Sequence, residues 1–538
     1  MASTKAATTL LTGGRIYSSA APDATAMAIT GDTIVWVGQD GPGRALHPDA
    51  EEVPLDGAFV TPGFVDAHVH ATASGLHQAG ADLTGARGAQ DVLALLRKAA
   101  ERTPPEGVLV AHGWDESAWP DARLPSRAEI DDAVGGRPAY LTRIDVHSAL
   151  VSTALVELAP HAREADGWSA EGPVRAEAHH VLRAAVRSAV TPQQRDAAQH
   201  AFLTAAAARG VVCVHECAGP DLSGWEDVAA LLDKAGPGTP EVIAYWGELA
   251  DDAVIDRAKR LGIRGLAGDL FVDGALGSHT ARLRAPYQDE PDHNGRLYLD
   301  ADDVAEHVVA CTRAGLQAGF HVIGDGALDV VIEGFTRAEA EVGAAALAAG
   351  MHRLEHVEMI GRPEAEALAR WNVTASVQPL FDELWGGPDG MYAQRLGKER
   401  AATLNPFSML AATGVLLAGG SDSPVTPVDP WRSVRAAVHH RTEGSGISPR
   451  AAFTAHTKAG YRAAGVDDGI SGTLVPGAPA TYAVWEAGEL VVAAPDPRVQ
   501  RWSTDPRSRV PGLPVLEPGA PLPSCLRTVR RGVTIYAA

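Results

Sequence analysis

Between about residues 58 and 468, short apolar runs alternate with longer stretches of helical period. Val211-Val212-Cys213-Val214-His215, Gln317-Ala318-Gly319-Phe320-His321 and Arg353-Leu354-Glu355-His356 suit short, buried strands, as do 108–112, 139–142, 270–272, 374–377 and 415–419. Helical spacing predicts helices over 90–102, 192–209, 225–235, 301–314, 327–342 and 363–370. Such alternation implies parallel β/α units, and this number of them implies a closed barrel. The stretch from about 75 to 200 exceeds what one unit needs, so an insertion is expected there.

The two ends of the chain read differently. Thr9-Leu10-Leu11 and Arg15-Ile16-Tyr17 flank Gly13-Gly14, and 26–29 joins 33–37 through Gly31-Asp32, which are hairpin signals. Two hairpins are marginal alone and need a partner sheet. Thr481-Tyr482-Ala483-Val484-Trp485 and the run from Arg527 to Tyr536 supply strands of the same kind, with a Pro-rich span of about 495–523 read as irregular loop. The expected division is 1–57 and 469–538 for the two parts of a terminal β domain, with 58–468 for the barrel.

Composition narrows the class. Charged residues at 21% and hydrophobic residues at 46% describe an ordinary globular chain. A formal net charge of -21 disfavours nucleic acid and anionic membrane surfaces as partners, leaving a small-molecule substrate. Four cysteines in 538 residues are too few for a disulfide framework, which points to a reducing compartment. No signal-peptide core opens the chain and no apolar run reaches the roughly 20 residues of a membrane span, so a cytoplasmic protein is expected.

The chemistry gathers at predicted strand ends. His68 and His70 close the run from Phe59 to Val69, and on an extended chain side chains two apart leave the same face. His321, His356 and Asp422 each follow a strand candidate, and catalytic groups of a β/α barrel sit at the C-terminal ends of its strands. Each alone reads equally well as a buried, backbone-bonded histidine or a helix-capping aspartate. Together, four imidazoles and a carboxylate make a metal-ligand set. Cys213, His215 and Cys217 alternate onto one face, as a thiolate site or as buried small side chains.

Several motifs carry a family resemblance: Pro62-Gly63-Phe64-Val65-Asp66-Ala67-His68-Val69-His70, Gly113-Trp114-Asp115-Glu116-Ser117, Asp273-Gly274-Ala275-Leu276-Gly277-Ser278, His321-Val322-Ile323-Gly324-Asp325, Arg353-Leu354-Glu355-His356 and Gly420-Ser421-Asp422-Ser423-Pro424. With them the chain resembles the amidohydrolase superfamily, nearest to the YtcJ-like metal-dependent hydrolases that include N-substituted formamide deformylases. The resemblance implies an α/β fold, a distorted (β/α)8 TIM barrel with a small β-sandwich built from both termini. It implies hydrolysis of non-peptide carbon–nitrogen bonds such as amides and N-formyl or N-acyl groups. Deamination or ring opening of a nitrogen heterocycle would use the same ligands, and a metal-free binding homologue is the reading from another class. A homo-oligomer would be unsurprising for the family.

The metal ligands expected are His68, His70, His321, Asp422 and His356, with Asp422 as the base and His356 as the alternative carbonyl-polarising group. His147, Trp114, His279 and Arg282 are the expected substrate-facing residues. One departure stands out. The family's fourth barrel strand usually bears a Lys, carbamylated to bridge two metals, four residues before the Asp-Gly pair; here that position is Asp269. An Asp side chain is several Å shorter, so two readings stand: one Zn2+, or another divalent metal, with Asp269 outside the ligand shell, which is the favoured reading, or two ions with Asp269 in a variant bridge.

Overall fold

The computed structural model describes residues 7–116, 119–121, 123–143, 148–220, 222–492 and 511–538. It has two compact units, one of 1–70, 203–219 and 231–538, the other of 71–202 and 220–230.

In the first unit eight strands form one parallel sheet in sequential order. They are β1 (Phe64–Val69), β2 (Val211–Ala218), β3 (Glu241–Trp246), β4 (Gly265–Leu266), β5 (Gln317–Val322), β6 (Arg353–His356), β7 (Thr374–Val377) and β8 (Leu417–Gly419). The ring closes where the chain leaves β8: Asp422 N–H donates to the His68 carbonyl at 2.8 Å and His70 N–H to the Ser423 carbonyl at 2.9 Å. The fold is therefore a TIM-barrel-like α/β fold. Every residue of β1, β2, β5 and β6 is buried, as expected of parallel strands covered on both faces. The crossover helices run close to their predicted spans, for example Ala301–Ala314 and Asp325–Val342. The first is set by an Asp300–Asp303 capping box and stopped by Gly315 in the left-handed conformation.

Three expectations change. The barrel takes Glu241–Trp246 as its third strand, and its fourth is Gly265–Leu266, not the 270–272 run. The strands expected near 108–112 and 139–142 lie in the second unit, in a mixed five-stranded sheet ordered Val174–Arg175, Ser148–Val151, Ala139–Arg143, Leu109–Trp114, Ala81–Asp82. That sheet covers its own core, which includes Leu93, Leu96, Ile130 and Leu141. Finally, the segments either side of Gly13-Gly14 are not a hairpin. Thr8–Thr12 pairs with Ala26–Thr30, whereas Arg15–Ile16 pairs with Phe59–Pro62 in a different sheet. Leu11 and Ile16 both enter a core shared with Met27, Tyr482, Val484 and Val529, and a turn at Gly13 (φ 68°) carries the chain from one sheet to the other.

The second of these sheets joins the two ends of the chain: Arg15–Ile16, Phe59–Pro62, Tyr482–Glu486, Ser524–Arg530 and Val533–Ala537. Phe59–Pro62 runs directly into β1, so this sheet holds the strand that bears the His pair. Part of the Pro-rich span near 495–523 lies outside the described residues. Among the described residues, no helix is long and apolar enough to cross a membrane.

Candidate metal centre

Strand ends deliver the donors. His68 and His70 come from β1, His321 from β5, His356 from β6, and Asp422 from the turn after β8. Two of them need unusual backbone: His356 (φ 70°) and Asp422 (φ 53°) are both left-handed. Such conformations cost about 1–3 kcal/mol each and persist where surrounding structure over-determines them. Asp66 supplies part of that constraint, since its buried carboxylate accepts the Ser421 N–H at 2.8 Å and ties the Asp422 turn to β1.

Each imidazole has its far nitrogen engaged. His68 Nδ1–H donates to Glu355 Oε2 at 2.8 Å, His70 Nδ1–H to the Cys217 carbonyl at 3.0 Å, and His356 Nδ1–H to Gln378 Oε1 at 2.8 Å. His321 is turned the other way, donating Nε2–H to the Gly274 carbonyl at 3.1 Å. The four remaining nitrogens therefore present lone pairs to one region.

Asp269 lies in the middle of that region, where the variant-bridge alternative would put it and a position outside the ligand shell would not. Its Oδ1 is 3.5 Å from His68 Nε2, 3.5 Å from His321 Nδ1 and 3.7 Å from His356 Nε2, and its Oδ2 is 3.2 Å from His70 Nε2. The short side chain reaches because the backbone comes to it. After β4 the chain kinks at Gly268 (φ 81°) and the Asp269 peptide presses on Gly247, where a Cβ would stand only 2.7 Å from the Asp269 carbonyl oxygen. Asp269 is thus among the donors, not behind them. Asp422 Oδ1 completes the set, 3.1 Å from His70 Nε2 and 3.5 Å from His68 Nε2.

A cation fits these residues. Two donors about 2.0–2.1 Å from a tetrahedral ion are about 3.3 Å apart, in the range of the separations just given. His68 Nε2, His321 Nδ1, Asp269 Oδ1 and Asp422 Oδ1 are buried without a hydrogen-bond partner, a costly arrangement that a cation would relieve. The local field points the same way. Burial opposes charge on His68 and His70, yet Cys217 and the Asp269 and Asp422 carboxylates push His68 well up, and the same two carboxylates push His70 well up. Burial likewise opposes charge on Asp269, and the surrounding histidines hold it well below the usual carboxylate range. Two overlapping groups have ligand atoms within 4.8 Å of one another: His68, Asp269 and His356, and His68, His70 and Asp422. A third, His68 with Cys217 and Glu355, is already neutralised by the Arg353 guanidinium, 2.6 Å from Glu355 Oε1.

The expected substrate-facing residues are placed otherwise. Trp114 is fully buried in the second unit's core, with its indole N–H donating to the Leu141 carbonyl at 2.8 Å; its packing corrects its assignment to a pocket wall. Arg282 donates to Asn294 Oδ1 at 2.7 Å and His279 Nε2 sits 3.1 Å from the Asp289 carboxylate, so both side chains brace the loop after Asp273. His147 lies outside the described residues. Cys213 and Cys217 are buried free thiols, and His215 Nδ1 accepts from Arg353 at 3.0 Å.

Other residues became visible only in the fold. Asp273 accepts the backbone N–H groups of Arg282, Ile323 and Gly324 at 2.8, 3.0 and 2.8 Å, fastening the loop that carries the Gly274 carbonyl to the end of β5. Burial pushes its carboxyl up to about 6. Glu355 had a sequence signal, an opposite charge two residues away at Arg353 within an apolar strand. Gln378 had none.

Comparison with known proteins agrees with this geometry. The amidohydrolase family model matches residues 51–536. The putative amidohydrolase YtcJ of Bacillus subtilis is 29% identical over 416 residues, covering 73% of this chain and 75% of that protein. N-substituted formamide deformylase of Arthrobacter pascens is 23% identical over 461 residues, covering 80% and 83%. Among solved structures, an uncharacterized metal-dependent hydrolase of Pyrococcus furiosus superposes with a TM-score of 0.74 at 25% identity, covering 89% of this chain and 98% of that one. With a barrel of this kind and four imidazoles and two carboxylates at its strand ends, the chain belongs to the amidohydrolase family.

Proposed function

We propose that this protein hydrolyses a non-peptide carbon–nitrogen bond, an amide or an N-formyl or N-acyl amine, with the help of divalent cations held at the barrel mouth. The observation that carries the reading is the convergence of His68 Nε2, His321 Nδ1, Asp269 Oδ1 and Asp422 Oδ1, all buried and unpartnered. Imidazole and carboxylate donors suit Zn2+. Because Asp269 approaches all four imidazoles through its two oxygens, we favour two ions, one among His68, His70, Asp422 and Asp269, the other among His321, His356 and Asp269. Bound there, such a cation supplies Lewis acidity and makes water a stronger acid.

The chain's own groups then have distinct tasks. Asp422 is held ionised: burial opposes its charge, but His68, His70 and His356 keep its carboxyl below the ordinary range. It accepts the proton of the attacking water as the carbon–oxygen bond forms and delivers it to the departing nitrogen as the carbon–nitrogen bond breaks. His356 is a poor oxyanion donor, because its proton is committed to Gln378 and its Nε2 faces the centre as a lone pair. Its role is ligation.

The similarity to the N-substituted formamide deformylase of Arthrobacter pascens motivates the choice of N-formyl amines as first substrates. Elemental analysis of the purified protein should find two equivalents of metal; one would restore the mononuclear reading, and none would end the metal reading. Release of formate or acid from a panel of N-formyl and N-acyl amines tests the bond. Asp422→Asn should lower turnover by roughly 10²–10⁴-fold while most of the metal stays bound, and near-normal turnover would remove Asp422 as the base.

A further inference from the structure

Of the four inward-facing imidazoles, three are held at the far nitrogen by neutral acceptors, the Cys217 and Gly274 carbonyls and the Gln378 amide. His68 alone is held by a carboxylate, Glu355, at 2.8 Å. Glu355 is fully buried, and an isolated carboxylate there would be prohibitively costly. Arg353, two residues away on β6 and equally buried, meets both of its oxygens, Nε to Oε1 at 2.6 Å and Nη2 to Oε2 at 2.9 Å. The guanidinium is itself fixed on every side: Nη2 donates to the Ala67 carbonyl at 2.7 Å, Nη1 to His215 Nδ1 at 3.0 Å, and its carbon lies 4.3 Å from the Tyr245 ring centroid. The result is a closed, charge-balanced unit on β6 aimed across the barrel at one residue of β1.

We propose that Glu355, clamped by Arg353, is a positioning residue that makes His68 the strongest nitrogen donor of the metal centre. The carboxylate fixes the tautomer with the proton on Nδ1, orients the ring, and raises the electron density on Nε2. A neutral acceptor does the first two equally well but raises the electron density less, because it carries no charge to polarise the N–H. The ion pair also explains why Arg353 is needed in a barrel interior: its charge offsets that of Glu355, and its bond to the Ala67 carbonyl holds the peptide that precedes His68. The inference rests on the metal-centre reading above.

The test measures metal retention, by competition with a chromophoric chelator against zinc-loaded protein, independently of activity. Glu355→Gln keeps an acceptor for Nδ1–H but not the charge, and should weaken metal retention about 10–100-fold. It also strands the Arg353 charge, so the double variant Arg353→Met with Glu355→Gln separates the roles. If the pair served only packing, the double variant would recover both thermal stability and metal affinity. Positioning predicts recovered stability with metal affinity still at least about tenfold low. Metal affinity within threefold of wild type in the double variant would overturn the proposal. Should neither variant fold, the wild type decides: with 15N-labelled histidine in the zinc-loaded protein, one Nδ1–H proton should resonate well downfield of those of His70 and His356, and its absence would overturn the proposal. Wild-type protein that holds no metal at all would fail the metal-centre reading instead.

Discussion

Asp269 shows how much a single side chain decides. The short carboxylate makes one ion the natural expectation where the family carries a longer Lys, yet the structure sets it within 3.7 Å of four imidazole nitrogens. Removing it should therefore cost metal directly. Asp269→Ala is expected to lose at least one equivalent of metal by elemental analysis while keeping the wild-type far-UV circular dichroism; retention of the full wild-type content would return Asp269 to a supporting position. The histidines and Asp422 were legible in the sequence because each ends a strand-like run. Of the acceptors behind them only Glu355 left a signal, the opposite charge of Arg353 two residues away; Gln378 and the Cys217 and Gly274 carbonyls left none, since they meet their histidines from other strands or loops.

The elements matter through their ends. β4 is only two residues long, and the chain beyond it turns inward because Gly268 tolerates φ 81° and Gly247 offers no Cβ. At Gly247 an added methyl would press on the backbone carbonyl of Asp269, which cannot move without carrying the carboxylate with it. Gly247→Ala should cost about 1–3 kcal/mol of stability and reduce metal content more than its thermal midpoint suggests. An equal metal content would show that the kink tolerates the displacement. Helix spans such as Ala301–Ala314 were readable from their period, whereas a strand as short as Gly265–Leu266 has no pattern to read. Its place is given by pairing with β3 and β5.

The whole molecule comprises two units, and the stability of each is linked to a ligand, a proton in one and a cation in the other. In the second, Asp227 accepts the Thr72 hydroxyl at 2.9 Å, and burial pushes its carboxyl up to about 6 from 3.8. A folded-state value above the unfolded one means that the folded protein binds this proton more tightly. Stability from this group therefore falls as pH rises between those values, and the full deficit, up to about 3 kcal/mol, stands above pH 6. Asp227→Asn should thus gain thermal stability over the wild type at pH 8 and little at pH 4; equal gains at both would refute the linkage. In the first unit the metal plays the comparable part, since a ligand that binds only the folded state stabilises it, by about 2.7 kcal/mol at 100 times its Kd. Chelation should speed amide exchange in β1, β5 and β6 and leave Ala139–Arg143 unchanged, a contrast readable by hydrogen-exchange mass spectrometry.

By itself the sequence determined whatever depends on near neighbours along the chain. The alternation of apolar runs with helical stretches specified a parallel β/α architecture, and the two-residue spacing of His68 and His70 put both rings on one face of a strand. The motifs named the family. Tertiary structure alone decided which groups meet across the barrel, because those meetings depend on strand register, on the closure of β8 against β1, and on where the backbone bends. So it was the fold that sent Trp114 into the second unit's core, turned His279 and Arg282 to bracing a loop, and set Glu355 behind His68. It also brought Asp269 inward, because a kink at one glycine and a gap at another moved a carboxylate that side-chain length alone would have left out of reach.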